Sequence, residues 1–487
     1  MCQDQVILTQ TPVETEFAEA LGGERAERFL AALPAARAAV LARLRRALAI
    51  EPLPQFSSTV DAEHPVDLLT ASRWPNSENL TAEVAHSVAG LALSRTTSPL
   101  TTPFLERSLE EHEQSVVDGH PLHPCCRNRT GFTARDHLAY GPEHRPAVAL
   151  RLHPAADHVV FGDWPDELRD GREILLPVHP WQADRLNVPS AGTLDAVPLM
   201  ALRTLSAGSW HVKTTLSAQI TSAVRDISAG SIATATAVSE FLAGVVEGVE
   251  LQHNRASAAV LTNGEPDRRL GVILRDKPAP RENETLLPLA ALTARPVEGG
   301  PPPIRQLGDP VEWLAEFANL AVPPLLTLLA RGVALEAHEQ NLLVGLVHGR
   351  PRRLIYRDLA DIRVSPRPDL PERLHADREA LRAKTFATFF ATAMTGLVGA
   401  LDAPADELWQ AVAKAVPNTP DRSALLRDPL PAKPLTLMRL DPRTTEWAYL
   451  PNPFRAATPG AATPATATPP PPPASVRGGR SAPRSRR

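Results

Sequence analysis

Residues Asp118 to Phe132 read DGHPLHPCCRNRTGF, and no regular element can hold them. Pro121 and Pro124 lack the N–H that a helix interior needs, and their rings clash with the preceding turn. Two His-Pro pairs, two adjacent cysteines, two arginines and a Gly-Phe end crowd the stretch. It reads as a loop that aims side chains at something, and the rest of the chain must supply that something. His120, His123, Cys125 and Cys126 are all metal-ligand types, so a structural zinc is one reading. Pro follows each His, however, and no second ligand cluster is evident.

The chain changes texture across this loop. Before it the pattern is helical. Phe29, Leu30 and Leu33 keep a 3.6-residue spacing, as do Val40, Leu41, Leu44 and Leu48. Pro34 between the two sets is expected to open a second helix from its first turn. Another helix starts at Ser77, and its His86 reads as a packed or surface histidine. Residues 104–117 are helical and acidic. After the loop come short strand-like runs at 147–152, 158–161, 174–177, 201–205, 209–216 and 271–275, with Gly, Pro and Asp between them. Residues 220–225 read as a turn or a helix start. PVEGGPPP at 296–303 suits a domain boundary. Beyond it, 311–331 is a long helix closed by Gly332. Residues 341–347 and 353–356 form a hairpin about His348–Pro351, and 372–401 and 404–416 are helical.

The expected fold class is α+β, in four parts: 1–105 helical, 106–300 sheet-rich, 301–455 helical with a hairpin, and a disordered tail, 456–487. That tail is rich in Pro, Ala and Thr and ends in arginines, with too few apolar groups to offset the entropy of ordering.

Composition narrows the function. The chain of 487 residues is 43% hydrophobic and 22% charged, with a net charge of −4. Such a balance gives no general attraction to nucleic acid or anionic membrane. Three cysteines, two of them adjacent, make no disulfide framework. The first residues lack a basic region followed by a long apolar run, and the apolar stretch 322–347 is interrupted by charges. A cytoplasmic protein with no membrane partner is expected.

Three further blocks could carry chemistry. Leu176 to Gln182, LPVHPWQ, runs a strand into another His-Pro turn. There His179 and Trp181 could simply cap a packed corner. His211 to Arg225, HVKTTLSAQITSAVR, sets Lys213 beside hydroxyls, with Thr221, Ser222 and Arg225 after it. Such groups suit a phosphate or carboxylate, although Lys and Thr on a strand are usually a solvated face. In the last block His338, Asn341 and Asp358 flank the hairpin. The amide and carboxylate oxygens are hard ligands of the kind Mg²⁺ takes beside phosphate. The alternative is a structural Arg357–Asp358 ion pair. No Walker A, GxGxxG or GxSxG pattern is present.

Together the blocks resemble the IucA/IucC family, the siderophore synthetases that work independently of nonribosomal peptide synthetases (NIS synthetases). Gly119 to Pro124 with Arg129 and Gly131-Phe132 is similar to the family's GHPxHPxxKxRxGF loop. Leu176–Gln182 is similar to its (I/L)PVHPWQ, and Lys213–Arg225 to its K-TS-x-x-R block. His338–Leu343 and Arg357-Asp358 are similar to its HxQN and RD elements, and Ala432–Leu440 to its closing motif. The resemblance covers about 75 to 455.

It implies a cupped-hand fold with a helical thumb, sheet-rich fingers and a palm of helices and hairpin. It also implies ATP and Mg²⁺, with a citrate-like carboxylate and an amine or alcohol as small-molecule substrates. The acid would be adenylated and then captured, releasing AMP and pyrophosphate. Residue by residue, Lys213, Thr221 and Arg225 would meet phosphate and carboxylate, with Ser222 a further candidate. His338 would orient the carboxylate, and Asn341 and Asp358 would serve Mg²⁺–ATP. His120, His123, Arg127 and Arg129 would be the loop's cationic or donor groups. Arg127 stands where the family has Lys, which differs from Arg in shape and hydration. The chain is short for the family, and a homodimer stays open. A kinase-like phosphotransferase releasing ADP, or a family member that binds without turnover, is the alternative.

Overall fold

The N-terminal helices pack as their apolar spacing requires, with one departure at Pro34. The computed structural model describes residues 10–54, 62–221 and 223–456. Ser222 and all but the first residue of the expected tail therefore lie outside the described residues. The expected break at Pro34 does not occur: one helix runs Gly23–Ile50 with Pro34 inside it. The carbonyl that loses its donor belongs to Leu30, which is exposed, and Pro34 is itself exposed. Water can therefore satisfy that carbonyl. The continuous buried face of Phe29, Leu33, Val40 and Leu44 outweighs the roughly 3 kcal/mol cost of a helical proline.

This helix packs on Ser77–Ser94 around Phe17, Leu80, Val84 and Leu91. Cys125 and Cys126 of the His-Pro loop are buried in the same core. At its edge Glu14 accepts from Arg37 Nε at 2.9 Å and lies 3.3 Å from His64 Nε2.

A nine-stranded antiparallel sheet fills the middle of the chain. Its order is His158–Gly162, Asn254–Thr262, Glu265–Asp276, Trp210–Thr214, Thr204–Ala207, Gly192–Pro198, Val148–Ala155, Glu173–Val178, Arg169–Asp170. Side chains alternate between its faces. Val212, Val272, Leu274, Ala256 and Ala258 build an apolar core on one side. Lys213 and Arg275 take the other, because Ile273 pairs with Lys213 and Arg275 pairs with His211. Two cations are thus brought onto one buried polar face.

Residues 220–225 form a turn, the first of the two expected alternatives, and not a helix start. Leu216–Ile220 and Ala223–Arg225 form a tight antiparallel pair, turning at Thr221 with φ 56°. The chain pairs locally here because Arg129–Thr130, at the end of the His-Pro loop, supplies a third strand. The loop is thereby clamped to the turn, where Thr221 N–H donates to the Asn128 carbonyl at 3.0 Å.

A second sheet of four strands contains the expected hairpin, Leu342–Val347 and Arg350–Tyr356. His348 and Gly349 both have positive φ, 49° and 76°, the conformation that a two-residue hairpin turn demands. Leu342 opposes Tyr356, so Asn341 and Asp358 emerge together at the hairpin's open end. The helix Pro310–Ala330 covers this sheet. It is long and apolar enough to cross a membrane, but it packs in the core, and its Trp313 Nε1–H donates to the Gly349 carbonyl at 2.9 Å. Farther on, Arg378–Thr385 continues into a π-helix, Phe386–Met394. Thr392 and Thr395 hydroxyls donate to carbonyls five residues back, stabilising its wide turns.

Burial pushes the Glu14 carboxyl up, but His64 and Arg37 outweigh it and bring its pKa to about 2, against 4.5 in a free chain. Removing one partner of a buried ion pair costs about 3–5 kcal/mol. Glu14→Gln is therefore expected to lower the urea midpoint clearly at pH 7. A depressed pKa stabilises above the unfolded value and ceases to do so as pH falls through the folded one. The gap between wild type and variant should close as pH drops from about 4.5 towards about 2. Parallel urea titrations across that range measure it.

Candidate active site

A cavity of about 470 Å³ opens where the His-Pro loop, the Thr221 turn, the open end of the hairpin and the π-helix meet. Of the candidates named from sequence, His120, His123, Arg127, Arg129, Thr221, Arg225, His338, Asn341 and Asp358 line it. Lys213 is not part of the lining and reaches it through Asp358. Ser222 is outside the described residues.

The His-Pro pairs share one local device. His120 Nδ1 accepts the N–H of Leu122 and of His123 at 3.2 Å each. His123 Nδ1 accepts Cys125 N–H at 2.9 Å, and His179 Nδ1 accepts Trp181 N–H at 3.2 Å. The side chain caps the turn as Asn or Asp would. A neutral ring held this way carries its proton on Nε2. Burial keeps the rings neutral: His123 falls to about 3, and His120 lies well below its ordinary value, with neighbouring basic groups such as Arg43 and Lys433 adding to the effect. These two are hydrogen-bond donors rather than the cations the loop could have supplied. His123 Nε2 is buried with no protein partner among the described residues.

His179 is also buried and neutral, at about 3. Trp181 packs on Phe132, with the Arg185 guanidinium 3.8 Å from its ring centre. This block is a packed corner that holds the loop's Gly-Phe end.

The loop arginines are engaged inside the protein. Arg127 Nε–H donates to the Val117 carbonyl at 2.7 Å, and its Nη2 donates to the Val116 carbonyl. Its Nη1 lies 3.4 Å from Glu143 Oε2, which Arg129 Nη2 also reaches at 2.8 Å. Glu143 is fully buried between them. The two guanidinia overcome that burial and hold its carboxyl well below the usual range.

The zinc reading of the loop fails on the same geometry. Both histidine Nδ1 atoms accept backbone N–H groups, Cys125 Sγ faces Glu83, and Cys126 Sγ faces Ser87. No cluster of three or more His, Cys, Asp or Glu able to hold a metal occurs among the described residues.

Asp358 is the point where the two sheets meet. Its Oδ1 accepts from Lys213 Nζ at 2.7 Å and Arg275 Nη2 at 2.9 Å. Burial pushes the carboxyl up, but these cations hold it well below its ordinary range. Its φ of 64° turns the chain sharply off the hairpin and points the side chain into the cavity. The alternative Arg357–Asp358 pair does not form, because Arg357 binds Glu113 at 2.6 Å. Arg357 also ties Asn341 in place, donating its N–H to that residue's carbonyl at 3.0 Å. The Asn341 amide nitrogen is held by the Glu336 carbonyl at 3.1 Å, which leaves its oxygen free. Asn341 and Asp358 together present a hard-oxygen pair suited to a cation that takes its other ligands from phosphate and water.

Sequence reasoning missed several charged groups of the same region. Arg203 is part-buried, donates to the Arg225 carbonyl at 2.8 Å, and is pulled to about 10 by desolvation. Glu336 binds Lys433 and lies 3.5 Å from Lys384 Nζ. His338 beside them is pulled down to about 4 by burial. Lys433 lies within the closing motif, whose likeness to the family assigns it no role. Lys384 sits on an amphipathic helix with nothing local to mark it. It faces the cavity because small residues follow at helical spacing, namely Ala387, Thr388, Ala391 and Thr392.

Two stretches of the chain match known families. Residues 108–294 match the IucA / IucC family, and 311–453 match a family described as ferric iron reductase FhuF-like transporter. The rhizobactin siderophore biosynthesis protein RhbC of Rhizobium meliloti is 27% identical over 317 residues, which is 52% of this chain and 54% of RhbC. The chain spans about half the length of the curated relatives it matches. In fold it is similar to the petrobactin biosynthesis protein AsbB of Bacillus anthracis, with a TM-score of 0.72 at 19% identity, covering 92% of this chain and 99% of AsbB. It is also similar to ATP-bound aerobactin synthetase IucA of Klebsiella pneumoniae, with a TM-score of 0.67 at 18% identity, covering 78% and 83%. The α+β architecture is therefore that of the NIS synthetases. The ordered motifs, the family match over residues 108–294 and the shared fold make the chain similar to the siderophore synthetases of the IucA / IucC family.

Proposed function

We propose that the chain is an ATP-dependent siderophore synthetase. It activates a carboxyl group of citrate or a citrate-like acid as an acyl-adenylate, then condenses it with an amine or alcohol. The observation that carries this reading is the convergence of Arg225, Asp358 with its two cations, and the Lys384–Glu336–Lys433 cluster on one cavity. Relatives named staphyloferrin A synthase and L-2,3-diaminopropanoate–citrate ligase, both of Staphylococcus aureus, support it. So does the fold shared with an ATP-bound synthetase, IucA.

In the first step a carboxylate oxygen attacks the α-phosphorus of ATP and pyrophosphate leaves. Both partners are anions, so the site must hold them together and neutralise developing charge. Arg225 and the Thr221 turn contact phosphate and the reacting carboxylate, and the Nε2–H groups of His120 and His123 donate to phosphate oxygens. Arg127 and Arg129 act one step back, fixing the loop through Glu143. Lys213 and Arg275 hold Asp358 ionised and aimed.

Asn341 and Asp358 would hold Mg²⁺, which supplies charge neutralisation on the triphosphate. Lys384 and Lys433 together carry one more charge than Glu336 cancels, so they bind the acid's remaining carboxylates, with His338 orienting the reactive one. In the second step the nucleophile attacks the acyl carbon and AMP leaves. Residues 1–105, 106–300 and 301–455 then correspond to thumb, fingers and palm.

Asp358→Ala and Arg225→Ala are each expected to cut citrate-dependent ATP–pyrophosphate exchange by about a hundredfold or more. Near-normal exchange in both variants would sink the assignment, and release of ADP rather than AMP would favour a phosphotransferase. Lys433→Ala should separate the substrates. The KM for the acid should rise about tenfold while the KM for ATP changes by less than about twofold, in steady-state AMP-release assays.

A further inference from the structure

Glu339 is the buried acid of the cavity lining that no described residue answers. The other buried or part-buried acids there are matched. Glu336 faces Lys384 and Lys433, and Asp358 faces Lys213 and Arg275. Glu51 accepts the N–H groups of Thr436 and Leu437 at 2.9 Å each. Glu339 is 5% exposed and lines the cavity, yet its carboxyl makes no hydrogen bond or ion pair among the described residues.

Its place is built rather than incidental. Its main-chain carbonyl accepts Ala290 N–H at 3.1 Å, which anchors it to Leu289–Thr293. Its side chain lies against Gly396 of Thr395–Ala400, where any Cβ would collide with Oε1. Neither helix carries a charged residue. The lysines of the same lining are engaged by Glu336.

A buried carboxyl without a partner is costly and calls for a ligand that completes it. ATP and a polycarboxylate are anions and would be repelled, and Mg²⁺ is already assigned to Asn341 and Asp358. The remaining participant is the nucleophile. Resting on the synthetase reading above, we infer that Glu339 binds the ammonium of a basic nucleophile, such as the non-reacting nitrogen of a diamine, and so selects diamines over neutral alcohols.

The test separates the two readings. Citrate-dependent ATP–pyrophosphate exchange needs no amine and reports a folded, adenylating enzyme. Hydroxylamine, uncharged at neutral pH, captures the acyl-adenylate without an ammonium site. In Glu339→Gln both should persist, while the KM for 1,3-diaminopropane or spermidine rises about tenfold or more. Gly396→Ala, which displaces the carboxyl, should reproduce the effect. If Glu339→Gln leaves the diamine KM unchanged, or abolishes exchange and hydroxamate formation together, the Glu339 assignment is wrong. If the wild-type protein shows no exchange with any carboxylic acid, the synthetase reading itself fails.

Discussion

The Lys213–Asp358–Arg275 contact is the join on which the site depends. Lys213 and Arg275 lie on neighbouring strands of the large sheet, and Asp358 leaves the end of the small sheet's hairpin. A buried ammonium or guanidinium without a counter-charge would be strongly destabilising. The polar face of the large sheet can therefore be buried only if the hairpin brings its carboxylate to that spot. Burial pulls Lys213 below its ordinary value and Asp358 opposes the fall. The pair thus fixes the relative position of the sheets while keeping the carboxylate ionised.

That join explains why the remaining groups arrive where they do. Once Asp358 is placed, pairing of Leu342 with Tyr356 puts Asn341 next to it, and His338 and Glu336 follow within a few residues. From the other side the Thr221 turn is fixed by its strand pairing with Arg129–Thr130, so the His-Pro loop closes over the same space. The cavity is what remains between elements that each had an independent reason to be there.

This logic also decides what could be read from sequence. The hairpin block is legible because its turn chemistry and apolar runs are local. Several strands of the large sheet, including the one that carries Lys213, are legible for the same reason, but Gly192–Pro198 and Asn254–Thr262 are not. Residues 220–225 read as a turn or a helix start from sequence; the turn is there, but its strand pairing is not legible because the partner strand lies about ninety residues earlier and leaves no local trace. Pro34 misleads in the opposite direction: a local rule is overridden by a long apolar face whose solvent side could hydrate the freed carbonyl. Lys384 and Glu339 are invisible as site residues. One sits on an ordinary amphipathic helix. The other is a Glu within a motif, and its isolation from every cation exists only in three dimensions.

Arg127 shows how a single departure can change what a residue is for. A lysine ends in one small ammonium, whereas Arg presents five donors in a rigid fork. Here the fork spans the Val116 and Val117 carbonyls and the Glu143 carboxylate. No single ammonium could hold all three. With Arg in place the loop is fastened from inside, and Arg129 shares the same carboxylate from the other side. In the proposed function, contact with a nucleotide would then fall to the Nε2–H groups of His120 and His123, whose orientation the His-Pro turns set. These are neutral donors, because burial holds both rings well below their ordinary range. The loop's grip on phosphate would be one of direction rather than charge, with the charge left to Arg225.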